Sequence, residues 1–532
     1  MKNVLRSILI ISVALSAASC QQQKELGPRV SNATGWNYFD EKTTNFQVPE
    51  RKESVTPTGM VAIQGGSFTV GEKDEFVTAP RNNETRTITV SSFYMDKYEV
   101  SNINWNEYLH WLDVVFGGVA PELVDKARPD RTVWRDDMAY NDPYEEHYFD
   151  HPAFAFYPIV GITWEQAMAY CQWRSDRVNE LALINAGVIA TPAFADLKPT
   201  DDEARKSEWE QKTGYQMVAS EEVSPEDPTR KVTVYRPSYE WIRDKFVFNT
   251  DKYLLDDTYT PESGRKPKKE GKDKTNDYSL NRKASKADGL FVTGYRLPTE
   301  AEWEFAAYAP VADASGMTIE GKVYPWSGYH PREASPKTKS SLRANFVRGR
   351  GDMMGVSGAL NDGYVITSPV DAFEPNDFGL YNMAGNVNEW VLDVYRETTF
   401  QDATEYNTFR GNVYATPVKE NGKYVLDSLG CIKVAWDQKN DKRDVLDGDF
   451  ASLIDTDFPL DTVGVLEMTG KEPKTDPTDI LAPRVSKKSR VYKGGSWADR
   501  IYWLNPSNRR YMDQDKASSK VGFRCAMSML GD

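Results

Sequence analysis

The chain has 532 residues, enough for one large domain or two to three ordinary ones, and its 14 Trp and 28 Tyr allow a large core with polar handles. Its 65 Lys and Arg stand against 79 Asp and Glu, a formal charge of −14 that repels phosphate backbones and argues against nucleic-acid binding. The 35 Gly and 29 Pro are spread along the chain, which suits a loop-rich fold better than a helical bundle.

The N-terminus carries the first strong signal. Lys2 and Arg6 precede an apolar run, residues 8–18, that is too short to span a bilayer. Ala17, Ala18 and Ser19 then lead into Cys20, which resembles a lipoprotein signal, with Ala17 where Leu is usual. On this reading residues 1–19 are a signal peptide and Cys20 becomes the lipidated N-terminus, whose acyl chains partition into a membrane. The alternative is a plain secretory signal with an incidental cysteine. Gln21, Gln22 and Gln23 follow without an acidic cluster, so the expected place is the periplasmic face of the outer membrane. Export implies an oxidising compartment, where the remaining Cys171, Cys431 and Cys525 allow at most one internal bridge.

Residues 20–58 are polar and read as a tether, interrupted by Trp36 and Tyr38, aromatics expected to dock. Strand patterns follow at residues 60–63, 67–71, 87–90 and 93–95. A helix is predicted after Ser101, because Trp105, Tyr108, Leu109 and Leu112 fall on one face. Thr163 with Gln166, and Thr299 with Glu302, form capping boxes that open two more helices. In the first, Ala167, Tyr170, Cys171 and Arg174 share a face; in the second, Trp303, Ala306 and Ala307 face the core. Residues 176–290, ending in a Lys-rich run at 265–274, and residues 396–489, with Asp441, Asp444, Asp447 and Asp449 close together, read as insertions. Such charge runs are ordinarily solvated loops; partner contact is the sharper reading.

Seven blocks in order resemble one family. They are GMVAIQGGSF at 59–68, YEVSN at 98–102, PIVGITW at 158–164 with AYCQW at 169–173, and YRLPTEAEWE at 295–304. NDFGLYNMAGNVNEW at 376–390, KGGSW at 493–497 and VGFRC at 521–525 complete the set. The sequence is similar to formylglycine-generating-enzyme (sulfatase-modifying-factor) domains over residues 59–532. The resemblance implies an α+β fold, a loop-rich variant of the C-type-lectin type.

In the oxygen-dependent enzymes of that family, two cysteines shortly after GGSW bind copper, since Cu(I) prefers soft thiolates. Asp499 and Leu504 stand at those positions here, so neither copper nor catalysis is expected. Another class with this fold uses a three-His iron site. Only His110, His147, His151 and His330 are present; His147 and His151 have a spacing that fits metal binding but equally an ordinary loop. The resemblance also implies structural Ca²⁺. One set would be Asn345, Phe346, Asp362 and Tyr364; the other would be Gly385, Val387 and Glu389, with Asp362 and Glu389 as turn caps the plain alternative. Finally it implies a disulfide between Cys171 and Cys525, leaving Cys431 free or paired with another chain.

Within the family, HPAF at 151–154, WRSDRVNE at 173–180 and the stretch 499–511 resemble the gliding-motility and type IX secretion lipoproteins of the GldJ, GldK and PorK group. That likeness implies a non-catalytic structural component, forming a homo-oligomeric, ring-like periplasmic assembly with a partner of the GldN or PorN type. The alternatives are a metal-dependent enzyme of the same fold and a carbohydrate- or peptide-binding lipoprotein.

Overall fold

The computed structural model describes residues 30–31, 33–38, 56–72, 83, 85–136, 139–223, 231–259, 261–262, 283–310, 322–333, 341–349, 362–395, 409, 415–427, 429–436 and 488–530. Cys20, the signal peptide, the Lys-rich run at 265–274 and the aspartates at 441–449 lie outside the described residues. The chain divides into two units, residues 1–54 with 287–289, and residues 55–286 with 290–532. In the first, Ser31 accepts from Gly35 and anchors a turn in which Val30 pairs with Asn37 and Trp36 stays exposed.

The second unit begins with short strands whose apolar side chains face inward. These are β1 (Met60–Ile63), β2 (Gly66–Val70), β3 (Arg86–Val90) and β4 (Phe93–Asp96). Strands β2 and β3 pair as a hairpin, with Phe68, Val70, Ile88 and Val90 buried, as alternation along a half-buried strand requires. Helix α1 (Asn102–Phe116) follows, capped by Ser101 and Asn104, with Trp105, Tyr108 and Leu112 on its buried face. Helix α2 (Trp164–Asn185) opens on the Thr163–Gln166 capping box and α3 (Tyr239–Phe246) on Ser238. After the two-residue strand β5 (Tyr295–Arg296), helix α4 (Glu300–Tyr308) opens on the Thr299–Glu302 box.

The boundary expected at residue 176 falls inside α2, where Asp176, Asn179 and Leu183 are buried. Among the described residues beyond it, Trp241, Ile242 and Phe246 of α3 join the main core. Arg174 forms a bidentate pair with Asp96 at 2.7 and 3.0 Å.

Two four-stranded sheets hold the termini of the motif blocks together. With β6 (Asn388–Val394), β7 (Ser489–Lys493), β8 (Arg510–Asp513), β9 (Val521–Gly522) and β10 (Ala526–Ser528), the orders are β1-β4-β10-β5 and β8-β7-β6-β9. The first sheet is antiparallel, and the second has one parallel pair, β9 on β6. The last strand thus lies between β4 and β5, so the closing block completes a sheet begun early in the chain. Helices and mainly antiparallel strands together make an α+β fold. Its core gathers Trp105, Tyr108 and Tyr170 around Phe523, with Trp105 and Tyr170 stacked at 5.4 Å.

Candidate functional site

The loop after β7 is shaped by Gly494 and Gly495, at φ 102° and 73°. A Cβ on Gly495 would stand 2.9 Å from both Leu504 Cδ1 and the Trp503 carbonyl, so only glycine fits. The turn directs the Ser496 amide and hydroxyl at Asp499, donating to its Oδ2 at 2.9 and 2.6 Å. Arg510 on β8 closes on the same carboxylate as a fork, at 2.8 and 2.7 Å, and Asn388 of β6 donates at 3.3 Å. The guanidinium is stacked against Tyr492 and Trp503, at 5.1 and 4.5 Å. Burial works to raise the Asp499 carboxyl, but Arg510, Ser496 and Asn388 outweigh it and hold it below the usual carboxylate range. Leu504 is fully buried with Val323, Leu342, Phe346 and Ala384. The position after GGSW is therefore filled by a saturated ion pair and an alkyl side chain, neither of which is a nucleophile or a soft ligand.

The two expected calcium sets differ in how they are used. Asp362 accepts from the backbone amides of Phe346 and Tyr364, both at 3.0 Å, so three of that set are brought together by a carboxylate that caps turns. Asn345 donates its amide to the Ile366 carbonyl at 2.8 Å. Glu389 is fully buried, and both its oxygens accept from Arg524, at 2.7 and 2.6 Å, while Trp303 donates at 2.7 Å. Its carboxylate is neutralised by a guanidinium, and a cation there would sit against a fixed positive charge. Glu389, Gly385 and Val387 therefore do not fit calcium as arranged: the expected ligand is the partner of a buried arginine.

The sulfatase-modifying factor enzyme 1-like domain model matches residues 45–444. The chain belongs to this family. Its relatives include the formylglycine-generating enzyme of Bos taurus, 24% identical over 442 residues, 79% of each chain. The formylglycine-generating enzyme of Thermomonospora curvata is 43% identical over 100 residues, 19% of this chain and 27% of the relative. The inactive C-alpha-formylglycine-generating enzyme 2 of Bos taurus is 38% identical over 104 residues, 19% of this chain and 28% of the relative. Among solved structures, Treponema denticola variable protein 1 is 16% identical, covering 88% of this chain and 95% of that one at a TM-score of 0.34. PvdO from Pseudomonas aeruginosa is 15% identical, covering 88% and 94%, also at 0.34.

The family fold also places the cysteines. Cys171 on α2 and Cys525 before β10 are both buried thiols whose sulfurs stand 3.6 Å apart. The expected bridge is not formed as a bond here, since bonded sulfurs lie about 2.05 Å apart. Burial pushes the Cys525 thiol well up, which keeps it protonated. Cys431 is half-buried and receives a hydrogen bond from Asn249 at 3.4 Å. His147 and His151 do not share a helix. The helix Asp142–His147 ends at the first, and the second caps a following turn through Ala153, leaving the rings 6.1 Å apart. Among the described residues no group of three His, Cys, Asp or Glu is arranged to hold a metal.

One arrangement was not read from the sequence. Lys493, from the KGGSW block, is fully buried and pairs with Glu304 at 2.7 Å and Glu300 at 3.2 Å, both on α4. Arg509 adds a fork to Glu300, at 2.6 and 2.9 Å, and Gly71 donates to Glu304 at 2.8 Å. The available signal was position, because Glu300, Glu304 and Lys493 lie inside the blocks at 295–304 and 493–497.

Proposed function

We propose that this chain is a non-catalytic scaffold of the sulfatase-modifying-factor family. It is exported as a lipoprotein and anchored through Cys20 to the periplasmic face of the outer membrane. Its body would be a loop-rich variant of the C-type-lectin type. The observation that carries the non-catalytic reading is the Asp499–Arg510 pair with buried Leu504, at the two positions where the resemblance puts copper-binding cysteines. A relative named as an inactive paralogue supports it, since the fold persists there under a name that denies the activity.

The assembly in this reading is a homo-oligomeric ring with a GldN- or PorN-type partner in a type IX secretion and gliding-motility machine. It rests on the likeness of residues 151–154, 173–180 and 499–511 to that lipoprotein group. Structural Ca²⁺ stays part of the reading only at Asp362, with the Asn345 and Phe346 oxygens and the Tyr364 carbonyl. Two experiments test the function. A sulfatase cysteine peptide incubated with the protein, copper and oxygen should show no mass change attributable to it, and conversion would refute the scaffold reading. Affinity purification from crosslinked membranes should recover secretion-machine components in fixed ratio; recovery of the chain alone would remove the assembly.

A further inference from the structure

Glu99 lies between β4 and α1 and is 2% exposed. Its Oε2 accepts from Asn382 at 3.0 Å and Asn386 at 2.8 Å, while Oε1 has no hydrogen-bond partner. Two more buried oxygens lack partners, Asn102 Oδ1 and Ser368 Oγ. All three belong to one cluster. Ser368 donates its backbone amide to Asn386 Oδ1 at 2.8 Å, and its carbonyl accepts from the same Asn386 amide that holds Glu99. Asn102 donates to the carbonyls of Tyr148 and Phe154, at 3.0 and 2.9 Å. The Tyr148 hydroxyl lies 2.9 Å from Thr367 Oγ1, and the Glu99 charge and the Asn102 amide both act on it.

Charge points the same way as the open oxygens. Glu99 and Glu389 are close enough to repel, and Arg524, which Glu389 already holds, is the cation that offsets them. Two carboxylates and one guanidinium leave a buried excess of one negative charge, which is costly in a low-dielectric interior. A carboxylate, an amide carbonyl and a hydroxyl are the oxygen ligands that hard cations take.

We propose that Glu99 Oε1, Asn102 Oδ1 and Ser368 Oγ form a binding site for a hard cation of low charge, Na⁺ or Ca²⁺. None of these three residues belongs to the calcium sets implied by the family resemblance, and the site is independent of the scaffold reading. Its rival is a proton, because burial and then Glu389 push the carboxyl of Glu99 up to about 8 when no cation is bound.

The test uses the full-length purified protein, stripped with chelator and melted at constant ionic strength in choline chloride, with NaCl or CaCl₂ substituted stepwise. A ligand that binds only the native state raises the melting temperature in a saturable way. The comparison is made in an Asp362→Asn background, so that the calcium site of the proposed function contributes nothing. That parent should show this rise, and the cation giving the lower half-saturation identifies the ligand. Glu99→Gln added to it should abolish the response. A parent indifferent to both cations, or an added Glu99→Gln that still responds, overturns the site. Stability that rises as the pH falls below about 8 with no cation dependence would assign the position to a proton and also overturns it. Should Glu99→Gln fail to fold, Ser368→Ala should raise the half-saturation concentration several-fold, and an unchanged value is equally fatal.

Discussion

Arg524 and Glu389 show how a single side chain changes meaning with its surroundings. Both are fully buried and paired at 2.6 and 2.7 Å, with Arg524 also donating to the Tyr381 carbonyl at 2.8 Å. Removing one partner of such a pair leaves the other as an uncompensated buried charge, at a cost of about 3–5 kcal/mol. Glu389→Ala should therefore lower stability to urea by about that much, whether or not calcium is present. Rescue by calcium would show that the glutamate is a ligand after all. Glu300 carries a pH signature. Burial works to raise its carboxyl, but Arg509 and Lys493 prevail and bring it down to about 2. A depressed carboxylate contributes stability that is complete above its unfolded pKa and is lost as pH falls through the folded one. Wild-type melting temperature should thus drop between about pH 4 and about pH 2, and Glu300→Gln should be less stable at neutral pH and flatter across that window. Parallel pH profiles of the two proteins would contradict the pairing.

At the scale of elements, the helix starts were legible because caps are local chemistry. Ser101, Thr163 and Thr299 each cap the helix that begins at the next residue, and the last two form the predicted boxes with Gln166 and Glu302. Thr163 accepts from the Gln166 amide at 3.1 Å, and Gln166 returns a bond at 2.9 Å. Thr163→Ala should cost about 1 kcal/mol in chemical unfolding, and Thr163→Ser almost nothing. Equal losses in the two variants would mean that the hydroxyl is not the cap. Helix lengths were less legible. The C-terminal half of α2 is polar in sequence, yet Asp176 accepts from the Thr250 amide at 2.8 Å and from Asn249 at 3.2 Å, partners more than seventy residues away. No local pattern announces such a contact, so the expected boundary fell mid-helix.

For the whole molecule, anchoring and cross-linking are the properties to test. Cys20→Ala should leave the protein uncleaved or soluble after fractionation, and normal maturation into the outer membrane would remove the lipoprotein reading. Cys171 and Cys525 are 354 positions apart in sequence with their sulfurs 3.6 Å apart. In an oxidising compartment they should link, closing a loop whose chain-entropy term is on the order of 5 kcal/mol. Unreduced peptide mapping should find that pair joined and Cys431 free to alkylate; a bridge involving Cys431 would contradict it.

The sequence by itself determined the family, the early strands and the helix caps, because each depends on neighbours within a few residues or on a motif read whole. That Asp499 and Leu504 stand at the positions of family thiols is what the resemblance implies. Tertiary structure decided what those residues do instead. Asp499 became half of an ion pair because β8 brings Arg510 to it, and Glu389 became the partner of Arg524 because β9 lies beside β6. Lys493, Glu300 and Glu304 lie in separate blocks of the sequence, and only folding brings them together out of water. Electrostatic partnership depends on which segments meet, and in this fold the closing segments return to strands and helices hundreds of residues earlier.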